Sequence, residues 1–118
     1  MPYDAIVLDL ETNGLNPNMS ILQFTAFFLK EGKVRKILNR FYYPKEGLTS
    51  AFLIHGLDDY KISELRNKQN ATYPEFFEDD EEILTLLKSL SSKVFLIAYN
   101  VSFESEFLKV RGINFENK

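Results

Sequence analysis

The apolar positions of this chain fall into blocks of two different periods. Ala5-Ile6-Val7-Leu8-Asp9-Leu10 is apolar on both faces until it nears its end, which predicts a buried strand. Asn13-Gly14 and Asn16-Pro17-Asn18 punctuate a loop after it. Ile21 to Leu29 is rich in aromatic and β-branched residues, and Val34 to Tyr43 resumes after the turn Glu31-Gly32-Lys33. These two runs predict a hairpin, ended by Pro44 to Gly47.

The second half changes period. Leu48 to Leu57 predicts a short helix or turn stopped near Gly56, and the polar stretch Asp58 to Asn70 no more than a helical turn and loop. Thr72-Tyr73-Pro74-Glu75 has the capping-box pattern, followed by Phe76, Phe77, Ile83, Leu84, Leu87 and Leu90 at helical spacing with Asp80 as the polar interruption. A helix over 73–91 is expected. Val94 to Ala98 predicts a fourth strand. Asn100 then stands where it can cap a helix whose apolar face is Phe103, Phe107 and Val110, ended by Gly112. The order strand, hairpin, helix, strand, helix implies an α/β mixed sheet with helices packed on it, in one domain over 1–118.

Composition narrows the chemistry. The chain has 118 residues, enough for one domain with a real core and too few for two. No cysteine is present, which excludes disulfides and thiolate sites, and a single histidine excludes a multi-histidine zinc site. Any metal must be held mainly by oxygen, favouring Mg²⁺, Mn²⁺ or Ca²⁺. The net charge of −3 argues against wrapping nucleic acid by charge alone, though not against gripping a few nucleotides through bound ions. Met1-Pro2-Tyr3-Asp4 lacks the basic start of a signal peptide, and the apolar-rich run Ile21 to Leu29 is about half a membrane span. A soluble, cytoplasmic protein with no membrane contact is expected.

Asp9 and Glu11 lie two apart on the first strand, so their carboxylates share a face and repel unless a cation or proton lies between them. Glu104 falls in the first turn of the last helix, where the helix dipole also favours an acid. If the fourth strand pairs beside the first, all three carboxylates face one pocket, an arrangement suited to a two-metal phosphodiesterase site. Each acid has a plainer reading as a solvated strand end or a dipole partner. The run Glu78-Asp79-Asp80-Glu81-Glu82 reads as the solvated opening of a capped helix rather than a metal site. Lys88, Lys93, Lys109 and Arg111 are too scattered to define a nucleic-acid groove.

Three segments together resemble a known family. Val7-Leu8-Asp9-Leu10-Glu11-Thr12-Asn13-Gly14-Leu15 is similar to the first motif of the DEDD 3′–5′ exonucleases, and Ile54-His55-Gly56-Leu57 to the I-H-G stretch of its proofreading members, the DEDDh type that includes the DNA polymerase III epsilon-like enzymes. Ala98-Tyr99-Asn100-Val101-Ser102-Phe103-Glu104-Ser105-Glu106-Phe107-Leu108 is similar to the second motif, and the three occur in the family's order. The resemblance implies a ribonuclease H-like fold, with an antiparallel hairpin, a parallel strand and flanking helices. It implies a domain that releases nucleoside monophosphates from the 3′ end of single-stranded DNA or RNA with two Mg²⁺ or Mn²⁺ ions. Asp9, Glu11 and Glu104 would be the metal ligands, with Glu11 also orienting the attacking water. Thr12, Leu15, Asn100 and Phe103 would line the nucleotide pocket.

Two departures qualify what the resemblance implies. Glu104 stands where the family has Asp, a change that moves the carboxylate by about 1.5 Å in a site whose ions lie about 3.5–4 Å apart. Tyr99 replaces a His, a milder change. The family's third motif, a general-base His or Tyr and a fourth carboxylate, is not found among these 118 residues, and His55 does not occupy the base position. The expectation is therefore an exonuclease domain truncated at its C-terminal end and inactive or weak by itself. Its unpaired sheet edge would favour self-association or a protein partner. The alternative is a catalytically degenerate module of the same fold that binds nucleic acid or a protein.

Overall fold

The computed structural model of the chain describes residues 2–47, 49 and 51–118. Four strands form one sheet: β1 (Ala5–Thr12), β2 (Ile21–Lys30), β3 (Lys33–Phe41) and β4 (Phe95–Ile97), in the order β3-β2-β1-β4. β1 pairs antiparallel with β2 and parallel with β4, while β2 and β3 form the expected hairpin. Glu31 and Gly32 both take positive φ at the hairpin turn, a conformation glycine adopts without a Cβ penalty. The mixed sheet of the α/β expectation is present, with one parallel pair and flanking helices.

Alternation on β1 and β2 builds the core. Ile6, Leu8 and Leu10 point to the same face as Phe24, Ala26 and Phe28, and all six are buried. Two helices cover that face: α3 (Glu81–Leu90) through Ile83, Leu84, Leu87 and Leu90, and α4 (Val101–Lys109) through Phe107 and Leu108. A smaller cluster of Leu22, Phe41, Leu57 and Ile62 closes one end of the opposite face. Elsewhere that face is bare. Ile37, Phe27, Val7 and Ile97 stand in register across all four strands, and Phe27, Ile37, Phe95 and Ile97 are exposed.

Several expectations for the helices need correction. The polar stretch after Gly56 is a full helix, α2 (Asp59–Lys68), capped by the Asp58 side chain accepting from the Lys61 amide at 2.8 Å. Its buried side chain Ile62 is too isolated in sequence to show as a stripe. The short helix before it is α1 (Phe52–His55), ended by Gly56 in the left-handed region. Leu48 of that predicted element lies outside the described residues.

Thr72 does not open a helix. The carbonyls of Tyr73 and Pro74 are taken by Arg66 at 2.7 and 3.0 Å, and the Tyr73 hydroxyl donates to Gln69 at 2.5 Å. The chain therefore stays irregular until a 3₁₀ turn over Phe77–Asp79, and α3 begins only at Glu81. Asp80 is not on a solvated face. It is buried, paired with Arg40 at 3.0 Å, and accepts a hydrogen bond from the Tyr42 hydroxyl at 2.7 Å. On α4 the inward residues are Glu104, Phe107 and Leu108, whereas Val110 is exposed; Asn100 occupies the N-cap position without a side-chain cap bond. Among the described residues no helix is long and apolar enough to cross a membrane.

Candidate active site

The parallel register Val7↔Ile97 sets the C-terminal ends of β1 and β4 at the same side of the sheet. The chain leaving β4 enters α4 within a few residues, so the first turn of α4 arrives beside Asp9 and Glu11. Asp9 is exposed and Glu11 half-buried, but Glu104 is 4% exposed. Its Oε2 is buried with no hydrogen-bond partner among the described residues. Burial, with the negative charges of Asp9 and Glu11, holds the Glu104 carboxyl above its ordinary range against an opposing hydrogen bond from its own backbone amide. Burial and the charge of Asp9 raise Glu11 likewise, against a smaller opposing effect from His55.

The three predicted acids thus share one region and act on one another electrostatically. They do not form a closed cage. Among the described residues, no three His, Cys, Asp or Glu side chains lie close enough together to hold an ion as they stand. Hard oxygen donors with a buried, unpartnered carboxylate oxygen are nonetheless the donor chemistry of a divalent cation site.

A cavity of about 440 Å³ adjoins this region. Glu11 belongs to both, and Thr12, Leu15, Met19, Ile54, His55 and Phe103 complete much of the wall. Leu15 and Ile54 are more than four-fifths exposed at the rim, where an apolar ligand face would cover them. Phe103 packs on Phe107 with ring centroids 4.8 Å apart and still faces the cavity. Asn100 is exposed at the head of α4, outside the cavity wall.

With that geometry in hand, comparison with known proteins is informative. No family model matches the chain. It is similar to the DNA polymerase III PolC-type of Mycoplasmopsis pulmonis, 27% identical over 119 residues covering 97% of this chain and 7% of that protein. The corresponding protein of Staphylococcus saprophyticus is 31% identical over 106 residues, covering 87% of this chain and 6% of the relative. The chain therefore spans less than a tenth of the length of these relatives. Among solved structures, Exonuclease X in complex with 5′ overhanging duplex DNA superposes with a TM-score of 0.59 at 17% identity, over 87% of this chain and 52% of that one. The fold is the ribonuclease H-like one of Exonuclease X.

Within this ribonuclease H-like fold, the wall of the cavity is fixed by a network that the sequence alone did not reveal. Asn13 is 1% exposed, and its amide donates to Glu46 Oε2 at 2.9 Å and to the Gly47 carbonyl at 3.1 Å. Its backbone amide donates to the Ser20 carbonyl at 2.9 Å, closing the 13–20 loop at its neck. The Ser20 amide donates to Glu46 Oε1 at 3.0 Å, and the Thr49 hydroxyl to the Asn13 carbonyl at 2.5 Å. Burial works against the Glu46 carboxylate, but these donors outweigh it and hold the group below its ordinary range. The signal was present in Asn13-Gly14, legible in sequence only as loop punctuation; Glu46, distant along the chain, carried none.

His55 is fully committed. Its Nδ1 accepts from the Leu57 amide at 2.9 Å, which leaves the proton on Nε2 to donate to the Thr12 carbonyl at 3.0 Å. An imidazole bonded at both nitrogens is a strut between α1 and β1.

Proposed function

We propose that the chain is the metal-binding and nucleotide-binding part of a 3′–5′ exonuclease domain, acting on the 3′ end of a single-stranded nucleic acid to release nucleoside monophosphates. One observation carries the reading: Glu104 is buried with an unpartnered oxygen in the field of Asp9 and Glu11, beside a cavity walled by Thr12, Leu15 and Phe103. Like charges brought together under burial are destabilising unless a counter-charge is present, so the fold tolerates them for a ligand's sake. Asp9, Glu11 and Glu104 would hold Mg²⁺ or Mn²⁺, which when bound would supply charge neutralisation and Lewis acidity at the scissile phosphate.

The chain's own residues then divide the remaining work. Glu11, half-buried between the acids and the cavity, orients the attacking water. The Thr12 hydroxyl, now donating to the Gly14 carbonyl at 2.7 Å, faces the 3′-terminal sugar. Leu15 wedges against the last base, and the Phe103 ring offers it an apolar surface. Asn100, at the N-cap of α4, contributes from outside the cavity wall. With His55 committed as a strut, no imidazole in this chain is free to act as general base, and positioned proton transfer is typically worth about 10²–10⁴-fold. These residues by themselves should bind a 3′ end and hydrolyse it weakly.

The test is a 3′-labelled single-strand assay with Mn²⁺ and Mg²⁺, comparing the wild type with Asp9→Ala. Slow release of terminal nucleotides, abolished by the substitution and by chelation, is expected. Digestion unaffected by Asp9→Ala would refute the metal-ligand assignment.

A second reading rests on the bare sheet face. The apolar row Ile37, Phe27, Val7 and Ile97 suits burial against a second copy of the chain, as in a module that associates rather than cuts. The β4 edge is less open than expected, because the Leu96 amide already donates to the Asn117 carbonyl at 2.8 Å. Association would therefore use the face. Size-exclusion with light scattering over a range of concentrations decides it: a dimer dissolved by Ile37→Lys supports this reading, and a monomer at every concentration removes it.

A further inference from the structure

Arg111 lies just past the end of α4, far in sequence from the first motif, and its side chain is 8% exposed. Its guanidinium makes four short hydrogen bonds. Nε donates to Glu78 Oε2 at 2.7 Å, and Nη1 to the carbonyls of Pro17 and Phe107, each at 2.8 Å. Nη2 donates to the Met19 carbonyl at 2.7 Å. Three separate elements meet on one side chain: the 13–20 loop, the last turn of α4, and the 3₁₀ turn before α3.

The first two of these elements each supply part of the cavity wall. Gly14, Leu15 and Met19 come from the loop, and Phe103 from α4. A Cβ at Gly14 would run into the Met19 thioether, so the loop is packed tightly upon itself. At its neck it is tied through Asn13 and Ser20 to Glu46. Among the described residues, the bonds from Arg111 to Pro17 and Met19 are the side-chain hydrogen bonds joining the loop to α4. A guanidinium suits the task because its donors are fixed in a planar fork, whereas an ammonium is a single point charge on a flexible stem.

We propose that Arg111 is a positioning residue that sets the separation of Leu15 and Met19 from Phe103, and thereby the affinity of the cavity for a terminal nucleotide. The nucleotide half of this rests on the function proposed above; the wall-positioning half does not. Arg111 touches none of Asp9, Glu11 or Glu104, so its removal should leave cation binding alone.

Arg111→Gln and Arg111→Lys test both halves. Amide hydrogen exchange of the wild type and variants is expected to show residues 14–19 opening about tenfold faster or more in Arg111→Gln, since charged hydrogen bonds to the loop are lost. The amides of β1 and α3 should be unchanged, with Arg111→Lys intermediate. Exchange rising equally throughout the protein, in step with a fall in Tm, would mean a merely structural role and overturn the proposal, as would an unchanged loop. If Arg111→Gln does not fold, Arg111→Lys alone decides between local and uniform opening.

The second arm titrates deoxythymidine 5′-monophosphate with Mn²⁺, and Mn²⁺ alone. Nucleotide affinity is expected to fall about tenfold in Arg111→Gln, with Mn²⁺ affinity retained. Equal nucleotide affinity in variant and wild type would overturn the nucleotide half. A wild type that binds no nucleotide would defeat the proposed function, while the exchange result still decides whether Arg111 sets the wall.

Discussion

Two buried carboxylates in this small fold have opposite surroundings. Asp80 is 1% exposed and fully answered, with the Arg40 guanidinium at 3.0 Å and the Tyr42 hydroxyl at 2.7 Å. Arg40 also pairs with Glu82 and stacks over Tyr73, 4.9 Å from its centroid, which in turn packs edge-on against Tyr42. Glu104 is 4% exposed, lies in the field of Asp9 and Glu11, and among the described residues one of its oxygens has no hydrogen-bond partner. The first arrangement is how a protein makes a buried charge tolerable. On the function proposed above, the second would be answered by a counter-charge from outside.

The contrast orders what substitution should do. The largest effect belongs to Asp80→Ala, which leaves the buried Tyr42 phenol without its acceptor and the half-buried Arg40 guanidinium with Glu82 alone. Chemical denaturation should report a loss of about 3–5 kcal/mol; a change below about 1 kcal/mol would mean the knot is only surface-like. Next comes Glu104→Gln, which removes charge from a crowded site. The metal-free variant is expected to be more stable than the wild type by about 1 kcal/mol in the same experiment. A loss of stability would show that Glu104 has a partner after all.

The smallest effect is a pH slope. Glu11 and Glu104 are both raised from an ordinary value of 4.5, so the folded state favours their protonated forms. Their contribution is fully present below that value and is lost as pH rises through the raised ones. The metal-free protein should therefore gain stability as pH is lowered from neutrality toward the ordinary carboxylate value. Glu46, which is lowered, acts in the opposite sense and only below that window. Thermal melts of wild type and Glu104→Gln across the interval should show a shallower slope in the variant. Parallel slopes would contradict the electrostatic account.

Much of this was legible in the sequence where local pattern and tertiary role coincide. The apolar runs and the Glu31-Gly32-Lys33 turn gave the buried strand and the hairpin, and the Asp9–Glu11 spacing gave the common side of the two acids. The helix expected over 73–91 forms only from Glu81, because Thr72 and Glu75 match a cap locally while Arg66 holds the carbonyls of Tyr73 and Pro74. Asp80 was misplaced for the same reason: its partner Arg40 sits on a strand forty residues away. The roles of Asn13, Glu46 and Arg111 were hidden because each depends on a neighbour brought in by folding. Position 104 was legible only by likeness, since an acid in a first helical turn is ordinarily a dipole partner.

The account stands on Asp9, Glu11 and Glu104 serving as a divalent-cation site, and Mn²⁺ binding measured by water-proton relaxation addresses it most directly. Saturable binding by the wild type, severely weakened in both Asp9→Ala and Glu104→Gln, is the predicted result. Equal Mn²⁺ affinity in all three proteins would contradict it.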